Sequence, residues 1–304
     1  MKKSFNTYSS PMVNGYEYPK YADILLDSTF KRTFGSERYK RVMLLFLQIL
    51  LPEKNIKDIR YVNTEHINPF PEMKNIRVDV ECLSSDGSRF VVEMQHAYQP
   101  NINNRMLYYS AFAVMSQLRQ GEGSNLYNLK PVYMIGIYNF SLHKDSDKVL
   151  WKYQIKCTTD ESLFTDGLTF ITLELPNCKK ALTEQATLLD NICYALLNMQ
   201  TFKEQPSQME GEFFNNLFES AEFINFTDEE QIKYFKDMTT KEDIQAQLEY
   251  CRQEGERKGK AEGLAEGSKT EKLAIAKTML SKDFDIQIIV DCTGLSVKEI
   301  KDLK

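Results

Sequence analysis

The 304-residue sequence lacks the signals of several large protein classes. Its six cysteines are scattered, with no C-x-x-C pair and no nearby histidine cluster, so neither a zinc site nor a disulfide framework is predicted. The best apolar run, VMLLFLQILL, is too short to span a bilayer, and the opening MKKSFNTYSSPMVNG lacks the apolar core of a signal peptide. We therefore expect a cytoplasmic protein that is neither secreted nor inserted in a membrane.

The sequence also lacks a net positive charge, and histidine is scarce. The formal net charge of -5 argues against a wholly electrostatic nucleic-acid binder, and the three histidines are separated in sequence, which disfavours a histidine-based nuclease. The exception is one short basic segment, which contains Lys31, Arg32, Arg38, Lys40 and Arg41. Phosphate binding would have to rely on such local charge.

The hydrophobic content of 42% is enough for a full core with material left for a smaller unit. Residues 21–51 predict two helices, with Asp27 capping the first and Ser36 beginning the second. Two short β-like runs follow, then a helix over about 103–121, the uniformly apolar PVYMIGIYNF, and two further strand candidates, VLWKYQIK and LTFITLEL. This order predicts an α/β fold with a mixed sheet flanked by helices.

Beyond this domain, which we place at residues 16–200, the sequence predicts only helices. A helical extension is expected over 201–254, where Thr227 and Glu230 have the spacing of a capping box. The tail, 271–304, has three short apolar-periodic segments, with Gly294 as a helix stop and a second capping box at Ser296 and Glu299. This pattern resembles a small helix-turn-helix, and its mixed charge leaves an interaction module and a DNA reader equally open.

The segment between them, residues 255–270, has four glycines spaced four residues apart within EGERKGKAEGLAEG. A flexible charged linker and a helix both fit this spacing. In a helix each glycine costs roughly 1 kcal/mol relative to alanine, so a close contact with a second helix would have to compensate. A dimer seam would supply that contact, and we therefore expect a homo-oligomer formed through the C-terminal helical region.

The candidate chemistry lies in residues 77–95, RVDVECLSSDGSRFVVEMQ. A three-residue turn with Gly87 in the left-handed position would place residues whose numbers sum to 172 opposite one another. Asp79 then faces Glu93, and like charges so placed are destabilising unless a cation lies between them. Two carboxylates and a strand carbonyl suit magnesium, which lowers the pKa of a bound water and so turns it into a nucleophile.

Two other interpretations fit the same carboxylates. Both could lie on a solvated sheet face, which is commonplace for charged residues at alternate strand positions. Two carboxyl groups about 5 Å apart also match the geometry of a retaining glycosidase. No sugar-stacking platform or obvious proton donor is evident nearby, which argues against the glycosidase.

Asp79 and Glu93-x-Gln95, with FKRTFGSE upstream and RMLYYSAF and PVYMIGIYNF downstream, resemble the PD-(D/E)XK nuclease superfamily. More narrowly, the set resembles the recombination-promoting nuclease and putative transposase family over roughly residues 21–175, and the glycine-spaced segment and TGLSVKEI resemble it too. The resemblance implies a restriction-endonuclease-like fold and a cut in DNA that requires magnesium or manganese and is linked to recombination or transposition. It implies that Asp79 and Glu93 are metal ligands, with Gln95 where the superfamily has lysine and Val78 where it has proline.

Another cation is expected to replace the missing lysine. The candidate is Lys31, which lies on the first helix with Asp27, although a cap at Asp27 and a solvated Lys31 are the simpler interpretation. Arg105 and Tyr109 share one helical arc with Tyr108, and this arc could grip a phosphate or orient the glutamate. For the two tyrosines, core packing is favoured.

Arg77 is the last candidate for substrate contact. If IRVDVEC is one alternating strand, Arg77 lies on the same face as Asp79. The alternative to an active nuclease is a catalytically weak or inactive DNA-binding or dimerising protein of the same fold.

Overall fold

The computed structural model describes residues 12–13, 16–17, 19–66, 75–118 and 127–303. These residues form two compact units, which divide between Asp237 and Met238. Most of the opening segment and the predicted end of the helix near residue 121 lie outside the described residues. None of the described helices combines the length and apolar character that a membrane span requires.

The described strands are, in chain order, β1 (Met12–Val13), β2 (Tyr16–Glu17), β3 (Ile59–Tyr61), β4 (Glu65–His66), β5 (Ile76–Arg77), β6 (Val80–Ser84), β7 (Arg89–Gln95), β8 (Val132–Tyr138), β9 (Leu150–Lys156) and β10 (Leu163–Glu174). The described α-helices are α1 (Asp27–Gly35), α2 (Lys40–Leu50), α3 (Ile102–Met115), α4 (Leu188–Asn198), α5 (Glu212–Ala221), α6 (Asp228–Leu280), α7 (Ile286–Thr293) and α8 (Val297–Lys301).

Six strands form one mixed sheet in the order β3-β6-β7-β8-β10-β9. β7, β8 and β10 are parallel, whereas β6, β3 and β9 pair antiparallel with their neighbours. Every residue of β8 is buried, because this apolar strand is covered on both faces. The predicted mixed sheet is confirmed, as are the two further strand candidates, which form β9 and β10.

Alternate residues of the central strands point into two separate cores. On one face, Val92 belongs to a large cluster with Phe34 of α1 and with apolar residues of α2, α4 and α5. On the other face, Val91 belongs to a smaller cluster with Met106 of α3. Each such buried side chain contributes about 1.5–3 kcal/mol, so both faces hold their helices firmly against the sheet.

The turn between β6 and β7 sets the register of the hairpin. Gly87 has a φ of +86°, which is the left-handed region that favours glycine. The ladder pairs Val80 with Val92 and Leu83 with Arg89, so opposite residues have numbers that sum to 172. The register predicted from the turn is confirmed.

The prediction of one continuous strand over IRVDVEC is wrong. β5 ends at Arg77 and β6 begins at Val80, because the amide of Val78 donates to the carbonyl of Thr64 (3.0 Å) and so leaves the β6–β7 ladder. Asp79 therefore lies in a bend beside the last rung of the ladder, rather than within a strand.

The two predicted N-terminal helices are present, but the first begins differently. Leu26 occupies the N-cap position of α1 and no side chain caps the helix. Asp27 is the first helical residue, where its charge favours the helix dipole, and it forms an ion pair with Lys31 (2.7 Å). Ser36 does accept a hydrogen bond from the amide of Tyr39 (3.3 Å), as expected for the residue that opens the second helical segment.

The helix α6 continues through the segment for which a linker and a helix had both been possible. Its 53 residues include all four spaced glycines, so the helix interpretation is confirmed and the predicted separate helices are one. At its start, Thr227 and Glu230 form the expected reciprocal bonds, with the Thr227 amide 2.8 Å from Glu230 Oε2.

The tail has its own small core, formed by residues such as Ala276, Ile289 and Ile300. Gly294 ends α7 with a φ of +68°, and Ser296 with Glu299 forms the predicted capping box of α8. The three-segment helical pattern is therefore confirmed.

Candidate active site

The structure brings Asp79 and Glu93 into direct contact through the backbone. The amide of Asp79 donates to Glu93 Oε1 (3.1 Å), and the amide of Met94 donates to Asp79 Oδ2 (2.8 Å). Gln95, two residues along the same strand, donates from Nε2 to Glu93 Oε2 (3.3 Å). The bend at Asp79 and the end of β7 thus place three side chains around one point at the edge of the hairpin.

Glu93 is buried, with only 3% of its surface exposed. Burial, followed by the nearby charge of Asp79, raises the pKa of Glu93 to about 8. Burial also raises the pKa of Asp79, although the hydrogen bond from the Met94 amide opposes that shift. The interpretation of a solvated sheet face is therefore wrong for Glu93, whereas Asp79 is partly buried. An acid buried next to a second acid is costly unless a cation or protons compensate it.

Two cationic side chains approach these acids from different helices. Arg105 of α3 places Nη2 3.2 Å from Glu93 Oε2, and its guanidinium lies 5.1 Å from the centre of the Tyr109 ring. The charge of Lys31 on α1 lowers the pKa of both acids, whereas the charge of Asp27 raises the pKa of Asp79. Lys31 is therefore close enough to act electrostatically, even though it is paired with Asp27.

Tyr109 lies beside Arg105 on α3, next to the two acids. It is partly buried, and this burial raises the pKa of its phenol. Its neighbour Tyr108 is 41% exposed, so the expectation that both tyrosines pack in the core is wrong for Tyr108. The helical arc predicted from the sequence thus presents a guanidinium and the Tyr109 phenol near Glu93.

The residues present fit a divalent cation that prefers oxygen. No group of three or more His, Cys, Asp or Glu side chains with metal-binding geometry occurs in the described part of the chain. A protein ligand beyond Asp79 and Glu93 would thus be an oxygen outside these side-chain types, such as a backbone carbonyl. The amide of Met94 points at Asp79. Because the amide and carbonyl of one strand residue face the same side of the strand, the Met94 carbonyl points to the side on which Asp79 lies. Two carboxylates and a carbonyl are hard ligands suited to magnesium.

Arg77 is not brought to this site. Its side chain is 71% exposed and lies 3.5 Å from Glu65, across the separate two-stranded sheet that β4 and β5 form. The cause is the break at Val78, which ends the alternation on which the prediction for Arg77 relied.

The basic segment over residues 31–41 is not an open phosphate-binding patch. Four of its five members are paired with acids as follows: Lys31 with Asp27, Arg32 with Glu230, Lys40 with Asp58, and Arg41 with Glu212. The fifth, Arg38, lies over the Tyr39 ring and donates to the Asn225 carbonyl (3.4 Å). The buried Arg32 also donates to the backbone oxygens of Ser220 and Asn225, which ties α1 to the end of α5. Sequence reasoning missed this anchoring role, because the partners of Arg32 lie far along the chain.

Comparison with known families agrees with this architecture. The family model described as "PD-(D/E)XK nuclease family transposase" matches residues 24–251. A second model, "Rpn/YhgA-like nuclease family, C-terminal HTH domain", matches residues 269–304. No curated protein and no solved structure matches the chain significantly.

The mixed sheet with flanking helices and a helical C-terminal region is consistent with the restriction-endonuclease-like fold. Nucleases of this superfamily generally use divalent metals, and a helix-turn-helix domain suggests DNA binding. From the match to most of its length, the chain belongs to the PD-(D/E)XK nuclease family transposases, and it ends in an Rpn/YhgA-like helix-turn-helix domain.

Proposed function

We propose that this protein is a magnesium-dependent DNA endonuclease that hydrolyses phosphodiester bonds and acts in recombination or transposition. The single observation that supports it best is the contact between the buried Glu93 and the partly buried Asp79, because two adjacent acids with reduced access to water suit a metal site. The family membership favours this proposal over a glycosidase.

In this proposal Asp79, Glu93 and the Met94 carbonyl hold the cation. Magnesium, or manganese in its place, would supply positive charge to the scissile phosphate and acidify a water. The amide of Gln95, which can donate and accept hydrogen bonds but cannot carry a charge, would orient the attacking water. Lys31 would supply the positive charge that the superfamily's lysine provides.

Arg105 has a positioning role in the same proposal. Its Nη2 lies 3.2 Å from Glu93 Oε2, and its side chain is partly exposed although Nε is buried. A guanidinium so placed can also donate to a phosphate oxygen of the substrate. Tyr109 and Asp27 would support Arg105 and Lys31, respectively, through the contacts given above.

We also propose that the protein is cytoplasmic and self-associates through its C-terminal helical region. A Cβ atom added at Gly255, Gly259, Gly263 or Gly267 would meet nothing within 4 Å among the described residues. The four glycines therefore lower the stability of the helix by roughly 1 kcal/mol each, and no close packing contact among the described residues explains why glycine stands there. Truncation after residue 250 should lower the sedimentation mass per assembly and the DNA affinity, and unchanged values would contradict this part.

The division of the chain into four functional segments stays a prediction, with the segments at 16–200, 201–254, 255–270 and 271–304.

The second candidate function is a catalytically weak or inactive DNA-binding or dimerising protein. Gln95 in the lysine position favours it, as does the engagement of Lys31 with Asp27.

Nicking of supercoiled plasmid DNA with magnesium, with manganese and with a chelator separates the two functions. Asp79→Ala and Glu93→Ala should each abolish nicking while the protein remains folded by circular dichroism. Asp58→Ala is the matched control, because it removes an exposed acid paired with Lys40 and should leave nicking intact. Nicking that survives both site variants would exclude these acids as metal ligands.

A further inference from the structure

A cleft of about 690 Å³ opens beyond the carboxyl ends of β7 and β8. Its lining includes Tyr98, Phe140, Ser141, Lys144, Asn177 and Lys179. This volume lies within the range of small-ligand sites, roughly 300–1,000 Å³. The lining mixes aromatic, amide and ammonium groups, so it is not a purely apolar gap.

One buried carboxylate ties together the two walls of this cleft. Glu174, at the end of β10, is fully buried, and its Oε2 accepts from the amides of Leu142 (2.9 Å) and His143 (3.0 Å) and from Asn177 Nδ2 (3.2 Å). Its Oε1 lies 2.6 Å from Nδ1 of His143, whose ring stacks on Trp151 at 3.7 Å. The loop after β8 and the turn after β10 are therefore held in fixed positions.

The cleft has an aromatic surface that is available for stacking. Tyr98 is 58% exposed, and its ring meets the edge of Phe140 at 5.7 Å. Phe140 in turn stacks on the buried Tyr138 at 4.8 Å, which fixes its orientation. A planar base stacks on such a surface whatever its identity, because every base has a π-face.

Two lysines line the cleft beside its aromatic surface. Lys179 is paired with Asp147 (2.8 Å), and Lys144 belongs to the loop after β8. An ammonium group beside an aromatic surface complements a nucleotide, which combines a phosphate with a planar base.

The cleft adjoins the acidic site along the chain. Tyr98 lies three residues after Gln95, so the two Cα atoms are separated by at most about 11 Å. The amide of Asn139 donates to the carbonyl of Gln95 (2.9 Å), and Phe140 follows directly. Since one strand of DNA advances about 3.4 Å per nucleotide, a base in the cleft would lie within about three nucleotides of a phosphate at Gln95.

We propose that this cleft binds one unpaired base of the DNA, stacked on Tyr98 with its phosphate near Lys144, and that the substrate is therefore DNA with an unpaired nucleotide close to the cut. This inference rests on the proposed function, since it names the class of DNA on which the Asp79–Glu93 site acts. A fully paired duplex would leave the cleft without a base, because its bases remain in the stack.

The test compares duplexes that carry 2-aminopurine either in a single-nucleotide bulge or in a base pair. Binding is measured by fluorescence without added metal, so that it does not depend on cleavage, and nicking of the same duplexes is measured with magnesium. The wild-type protein should bind the bulged duplex about tenfold more tightly than the paired one, in line with the usual gain from base stacking on an aromatic side chain.

Four variants locate the preference in the cleft. Tyr98→Ala should remove the preference for the bulge, whereas Tyr98→Phe should keep it, because the ring remains. Tyr127→Ala is the matched control for an exposed tyrosine outside the cleft lining and should keep the preference. Lys144→Ala should weaken binding of the bulged duplex and reduce its salt dependence by about one unit of slope.

The possible failures are distinguishable. Equal wild-type affinity for bulged and paired DNA, or a preference that Tyr98→Ala leaves unchanged, would overturn the inference even if both duplexes are cut. A Tyr98-dependent preference in a protein that cuts no DNA with magnesium or manganese would support the base site and contradict the nuclease function.

Discussion

The sharpest test of the buried acids is the change Glu93→Gln, which keeps the size of the side chain but removes its ionisation. In the folded wild-type protein burial raises the pKa of Glu93 from its ordinary value of 4.5 to about 8. The protonated form of Glu93 therefore favours the folded state. This contribution is fully present below pH 4.5 and is lost as the pH rises through 8.

The magnitude follows from the number of protons bound. Between about pH 5 and pH 8 the unfolded glutamate is ionised and the folded one is protonated, so the free energy of unfolding of the wild type falls by up to about 1.4 kcal/mol per pH unit. The Glu93→Gln variant does not show this fall in the free energy of unfolding, because glutamine does not ionise. Its stability relative to the wild type should therefore rise by about 3 kcal/mol from pH 5 to pH 8, after allowance for the coupling to Asp79.

The measurement is denaturant unfolding of the full chain with a chelator present at several pH values from 5 to 8. Glu65→Gln is the matched control, because it makes the same change at an exposed residue, and its difference from wild type should vary less over this range than that of Glu93→Gln. A Glu93→Gln difference that varies no more with pH than the control would refute the reasoning that burial governs this acid. Added magnesium should raise the melting temperature of the wild type and not that of the variant.

Substitutions at three other residues test their roles. Gln95→Lys should keep metal binding and speed plasmid nicking. Its ammonium would replace the amide that lies 3.3 Å from Glu93, so the free energy of unfolding should depend less on pH than in the wild type, and an unchanged pH dependence would contradict that contact. Lys31→Met should slow nicking at least about tenfold, whereas Lys31→Arg should retain most of it, and equal rates for both would exclude a role for the charge. Arg32→Met should lower the free energy of unfolding by about 3 kcal/mol, because it leaves Glu230 and two backbone carbonyls without their donor. Denaturant unfolding measures this loss, and a value below about 1 kcal/mol would contradict the anchoring role of Arg32.

Local sequence patterns determined much of the fold. The Ser-Ser-Asp-Gly-Ser turn specified the register of β6 and β7, because glycine adopts the left-handed conformation that a three-residue turn requires. The uniformly apolar run of β8 predicted a strand covered on both faces, and the two capping boxes predicted where α6 and α8 begin. In each case the interactions that decide the structure lie within a few residues of one another.

The candidate site was only partly available to such reasoning. The spacing of Asp79, Glu93 and Gln95 predicted that they would meet, since the turn alone sets which residues lie opposite. The break that displaces Arg77 depends on the carbonyl of Thr64, which belongs to another segment of the chain. Alternation along IRVDVEC carried no sign of that contact.

Burial and charge compensation were decided only by the tertiary structure. Whether Glu93 faces water or a core depends on α3 packing across the sheet, and its raised pKa follows from that packing. Two arginines of the basic segment, Arg32 and Arg41, are neutralised because Glu230 and Glu212, which lie far along the sequence, fold back onto them. Solvation and electrostatics sum over all neighbours in space, whereas sequence patterns describe only neighbours along the chain.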